Sequence, residues 1–193
     1  MYMQNQNQPA SRAADGLSGR QLQVMSTLRR LWMEHVLWTR FFLVSAVFGL
    51  PDLSDVTKRL LRNPSDFAAV LKPYYGIQPA AAFEKLFTEH LQIAAQLVNA
   101  AKAGDSAAVE QERRKWYANA DDIAAFLASA NPYWNRADWQ AMLYEHLKMT
   151  ESEAVQLLTG KYADSIAKYD EVQAQALEMA DIMAQGIIRQ FRL

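Results

Sequence analysis

Every histidine in this chain follows a glutamate, and the three Glu-His pairs recur at nearly equal intervals. Their contexts are Leu31-Trp32-Met33-Glu34-His35-Val36, Leu86-Phe87-Thr88-Glu89-His90-Leu91 and Leu143-Tyr144-Glu145-His146-Leu147, with successive histidines 55 and 56 residues apart. A second signature trails each pair. Asn63-Pro64-Ser65-Asp66-Phe67 follows His35, Asn119-Ala120-Asp121-Asp122-Ile123 follows His90, and the looser Glu178-Met179-Ala180-Asp181-Ile182 follows His146. The distances from histidine to the opening Asn or Glu are 28, 29 and 32 residues, so the third copy carries three extra residues on this alignment. Self-similarity of this period describes copies of one supersecondary unit, none of which can bury its apolar face alone.

The unit is helical. In the second copy Phe83, Leu86, Phe87, His90, Ile93, Ala94 and Leu97 fall on one helix face. The first copy repeats the period with Leu28, Leu31, Trp32, His35, Trp38, Thr39 and Phe42, and the third with Trp139, Met142, Leu143, His146, Met149, Thr150, Glu153 and Leu157. The chain has 31 Ala and 21 Leu against 23 Val, Ile and Thr together, a balance that favours helices over a sandwich or barrel. Its seven Gly and six Pro mark the breaks. Helices are predicted over about 20–48, 53–72 (broken near Pro64), 80–102, 106–130, 136–158 and 161–190, with 72–79 as the longest loop. The fold class is therefore all-α: three antiparallel helical hairpins, over about 20–76, 77–132 and 133–190, forming one bundle of ferritin-like character. Residues 1–19 are polar and read as a flexible tail.

Composition excludes several functions. Without cysteine there are no disulfides, thiolate catalysis, zinc fingers or iron–sulfur clusters. Twenty basic and 21 acidic residues leave a net charge of −1, so no nucleic-acid partner is expected. The most apolar stretch, Phe41–Leu50, is far short of the roughly 20 residues that span a bilayer, so no membrane partner is expected and the location reads as cytoplasmic. There is no glycine-rich phosphate loop and no Gly-x-Ser-x-Gly elbow, so no nucleotide is expected.

The histidines carry the one candidate site. Equivalent positions on three neighbouring helices would bring His35, His90 and His146 together. Three imidazoles with one carboxylate suit a first-row ion: Fe, Mn, Zn, Ni or Cu. Glu153 is the best carboxylate, two turns beyond His146 where the other copies carry Phe42 and Leu97; a metal or an arginine would satisfy it. Thr39 and Thr150, four residues after their histidines, could orient ligands. Asp66, Asn119, Asp122, Glu178 and Asp181 are candidate partners of the rings. The rival reading needs no metal: each histidine is clamped to Asp66, Asp122 or Asp181 of its own hairpin, in a structural or interaction protein. Asn63 reads as the cap of a helix starting at Pro64. No Glu-x-x-His pair is present, which separates the pattern from ferritin-type di-iron ligation. Tyr74, Tyr75, Tyr133 and Trp134 lie in connections. They either fold back on the bundle or offer a surface to a protein partner or a second copy.

Four segments carry a family likeness: Glu34-His35-Val36-Leu37-Trp38-Thr39-Arg40, Leu60-Leu61-Arg62-Asn63-Pro64-Ser65-Asp66-Phe67, Arg114-Lys115-Trp116-Tyr117-Ala118-Asn119-Ala120-Asp121 and Tyr144-Glu145-His146-Leu147-Lys148-Met149-Thr150-Glu151. Over roughly residues 28–191 the chain resembles a family of small proteins of spore-forming bacteria that often carries the label acetylglutamate kinase. Kinases of that name have a larger α/β fold with glycine-rich phosphate-binding turns. The label is read here as a transferred error and the activity as a remote alternative. More loosely, the pattern is similar to ferritin-like and hemerythrin-like helical proteins, an analogy of fold that does not fix function.

Overall fold

The computed structural model describes residues 16–193. Six helices follow one another: α1 (Gly19–Phe48), α2 (Leu53–Tyr75), α3 (Ile77–Ala103), α4 (Ser106–Ala130), α5 (Arg136–Leu158) and α6 (Tyr162–Phe191). The described residues contain no strand, so the α/β sheet of the kinase has no counterpart here. The expected tail lies outside the described residues over 1–15. Ser18 already caps α1, in a reciprocal capping box with Gln21.

Two expectations are corrected. Residues 72–79 do not form a long loop: α2 runs on to Tyr75 and α3 begins at Ile77, leaving Gly76 alone between them at φ 85°. Only glycine takes that left-handed turn without strain. Nor is α2 broken at Pro64. The proline removes one backbone donor, a cost of about 3 kcal/mol in a helix interior. Leu60, Phe67 and Leu71 bury the flanking turns and hold the helix continuous through it. Asn63 therefore lies inside a helix and caps nothing.

Each helix packs against its neighbours in chain order, and α6 returns to α1, so the six close into a ring. Helices α1, α3 and α5 are the first members of the three hairpins, and α1 also touches both α3 and α5 across the middle. The ends of the ring meet where Gln21 Nε2 donates to the Leu193 carbonyl at 2.7 Å.

The core is an aromatic layer over the middle of the bundle. Trp32, Phe67, Phe87 and Trp139 are at most 2% exposed. Trp32 meets Phe67 edge-on at 5.5 Å, Phe67 meets Phe87 at 5.2 Å, and Trp32 stacks on Trp139 at 6.5 Å. Burying one such side chain is worth about 1.5–3 kcal/mol, before the added preference of offset and edge geometry. By length and composition α1 would pass for a membrane span, but 44% of its most apolar window is buried inside the ring. The apolar face is spent on Leu28, Leu31, Trp32, His35 and Leu43.

The connection aromatics mostly fold inward. Trp134 is 3% exposed and packs on Trp139, and Tyr75 lies against Trp134 and Phe191. Asn131 donates to the Tyr75 hydroxyl at 2.9 Å, and that hydroxyl donates to Gln190 at 3.1 Å. Tyr74 packs on Phe191. Of the four aromatics, read either as folding back or as offering a surface, only Tyr133 is exposed.

Candidate metal centre

The three histidines, one on each of α1, α3 and α5, meet in the middle of the ring, next to the aromatic layer. Ring centres are 5.7 Å apart for His35 and His146 and 6.4 Å for His35 and His90. All three are 2–3% exposed. Phe87, one turn before His90, stacks on both His35 and His90, at 4.8 and 5.9 Å. Trp116 of α4 covers His90 at 5.4 Å.

The rings are held from outside by carboxamides. Asn119 of α4 donates through Nδ2 to the Leu86 carbonyl at 3.0 Å, and its Oδ1 lies 2.9 Å from His90 Nδ1. Gln175 of α6 does the same one hairpin on: Nε2 donates to the Met142 carbonyl at 2.9 Å, and Oε1 lies 3.2 Å from His146 Nδ1. Asn63 of α2 donates to the Leu31 carbonyl at 3.0 Å. Its oxygen and His35 Nδ1 lie near each other but close no hydrogen bond, and both stay without a partner. In each hairpin the bonded carbonyl is four residues before the histidine. An amide oxygen can only accept, so Nδ1 of His90 and of His146 carries the proton and donates.

Burial, above all, drives the rings neutral. It pushes His90 down to about 3 and His146 down to about 4, and holds His35 well below 6.5. A positive His146 would repel charge on both His35 and His90, which adds to the effect on those two; the carboxamides oppose it. The two bonded rings are therefore neutral imidazoles with a lone pair on Nε2, the form that binds metal. Nε2 lies across the ring from Nδ1, so tying Nδ1 to the outer helix turns Nε2 back toward the middle.

The other expected residues are placed elsewhere. Glu153 is 1% exposed, and its Oε1 is held 2.8 Å from Arg40, which also bonds Ser165. Burial raises its pKa and the Arg40 guanidinium opposes the rise. Seven residues at 1.5 Å each put Glu153 about 10 Å along α5 from His146, beyond shared ligation. Arginine, not the histidine centre, satisfies it. Asp66 pairs with Arg62 at 3.1 Å and Asp181 with Arg29 at 2.6 Å, while Asp122 and Glu178 are exposed. None of the four bonds a ring: Asp66, Asp122 and Glu178 sit three residues past the carboxamides of their helices and Asp181 six past Gln175. Thr39 and Thr150 donate to the carbonyls of His35 and His146, at 2.8 and 2.9 Å. Only Asn119, of the proposed partners, does what was expected of it.

Gln175 was missed. It stands 29 residues after His146, as Asn119 does after His90, and Asn63 stands 28 after His35. Aligning the third copy on Glu178 introduced three extra residues that the contacts do not require. A carboxylate would not serve here, because the side chain that reaches both a ring nitrogen and a carbonyl must carry a donor and an acceptor together.

Among the described residues no three histidine, aspartate or glutamate side chains stand at coordination distance. An ion about 2.0–2.1 Å from each nitrogen would hold ring centres roughly 5–5.5 Å apart. The His35–His146 pair is near that spacing and the His35–His90 pair about an ångström wide of it. Comparison with protein-family profiles, curated proteins and solved structures finds no match for this chain.

Proposed function

We propose that the protein binds one first-row transition ion through His35, His90 and His146, with water or a substrate completing the coordination. The observation that carries this reading is the outward anchoring of neutral rings. Two Nδ1 groups are committed to carboxamides, and no hydrogen bond to any Nε2 is found among the described residues. Metal-bound imidazoles typically donate their other N–H to an oriented acceptor. A lone pair on Nε2 that meets no protein donor is free to bind an ion. Coordination by His35 and His90 together needs that pair to close by about an ångström. Fe or Mn at the centre would give a redox or oxygen-handling role.

The rival reading keeps the histidines as clamps between the two helices of each hairpin, with no ion. The carboxamide bonds favour it, as does the Arg40–Glu153 pair, which engages the one buried carboxylate among the described residues. We read the three hairpins as copies of one ancestral unit in either case, and the setting as cytoplasmic.

Protein purified without an affinity tag, stripped with chelator and titrated with Co(II), Zn(II) and Fe(II) separates the two. About one equivalent per chain, with the visible absorption of histidine-bound Co(II), is expected. His90→Ala and His146→Ala should each abolish uptake, and Glu153→Gln should leave the stoichiometry unchanged. Folded wild-type protein that takes up none of the three ions ends the reading in favour of the clamp.

A further inference from the structure

Past the histidine layer, toward the C-terminal ends of α1, α3 and α5, the bundle contains a small cavity of about 20 Å³. Thr39, Ala94 and Thr150 line it, each four residues and so one helical turn after the histidine of its own helix. Leu43, Leu97 and Ala154, all under 5% exposed, bound the far side.

The walls offer almost nothing to a polar guest. Both threonine hydroxyls already donate within their own helices. Glu151, at the edge, is held by Arg113. Trp116 is the exception: it borders the cavity, is 3% exposed, and its indole N–H has no acceptor. The indoles of Trp32, Trp134 and Trp139 also lack acceptors, but none of them borders this space. A buried water needs two to four polar partners, and one unpaired donor does not supply them. The room suffices for a single guest of one or two heavy atoms.

We propose that this cavity is a binding site for one diatomic gas molecule, such as dioxygen or nitric oxide, one helical turn past the three imidazoles. The apolar walls provide its affinity. Delivery of the gas to a bound ion rests on the three-histidine reading above; occupancy of the cavity does not.

Xenon tests occupancy in chelator-treated, metal-free protein. Crystals pressurised with xenon should show one atom among Leu43, Leu97 and Ala154, and Ala154→Leu should remove it with helical content unchanged. Should Ala154→Leu fail to fold, Ala94→Leu, at a partly exposed position, makes the same test. Folded wild-type protein with no xenon in this space overturns the proposal. In Fe(II)-loaded protein, Ala154→Leu should weaken nitric oxide binding about ten-fold, equivalent to about 1.4 kcal/mol, with iron content unchanged; equal affinities overturn the placement one turn past the centre. Xenon uptake by a protein that binds no metal supports the gas site and ends the three-histidine reading. Metal uptake without xenon does the reverse.

Discussion

Asn119 holds two atoms of its neighbour helix at once, the Leu86 carbonyl and His90 Nδ1. Asn119→Ala would leave the His90 Nδ1–H buried and unmet and take from the Leu86 carbonyl the bond it accepts besides its helical one, a loss on the order of 2–3 kcal/mol in urea unfolding. Asn63 makes only the carbonyl bond, since its oxygen has no partner. Asn63→Ala should therefore cost roughly half as much, and equal losses would show that His35 is bonded after all. The histidines were legible from sequence because the residue is rare in this chain and recurs at one interval. Their partners were only partly legible. Asparagine inside a helix reads as a cap, and Gln175 changes the letter of the motif while keeping its chemistry. Glu153 stood out as a charge in an apolar stripe. Spacing along the chain could not say that Arg40, on another helix, would reach it.

Gly186 sits inside α6, where glycine costs about 1 kcal/mol relative to alanine. The helix accepts it because Trp134 lies against its backbone. A Cβ at this position would fall 1.9 Å from Trp134 Nε1. Gly186→Ala should therefore destabilise by about 2 kcal/mol or more instead of gaining helix propensity. Adding Trp134→Ala should make the pair strongly non-additive, as read in a double-mutant cycle of urea midpoints. Five of the six helices were legible as continuous elements, because apolar period and glycine stops agree along them. The sixth, α2, was read as broken because a proline weighs heavily in local reasoning. What keeps it whole, the packing of Leu60 and Phe67, is tertiary. The inward turn of Trp134 was equally hidden, since an aromatic residue beside Asn131-Pro132 carries no sign of which way it points.

Three neutral histidines at the centre of one ring couple the whole fold to pH. In the folded protein His146 and His90 take up protons only near pH 4 and 3, whereas the ordinary value is 6.5. As pH falls below 6.5 the unfolded chain therefore binds protons first. Stability contributed by these groups is complete above about pH 7. It should decline by up to about 1.4 kcal/mol per pH unit for each histidine below that, down to about pH 4 for His146 and about 3 for His90. Urea midpoints of metal-free protein at pH 7.5, 6 and 5 check the slope, and flat midpoints would mean that the rings are protonated in the folded state. Ring closure has a different consequence. With Gln21 touching Leu193, no helix junction is privileged as the place where synthesis must start and stop. A short glycine-serine bridge from Leu193 to Gly16, with the chain re-cut at the exposed Gly104-Asp105 turn, should give a circular permutant with the parent's far-ultraviolet spectrum and cooperative melting. The linear order of the hairpins would then be an accident of descent, and their cyclic order the thing the fold requires.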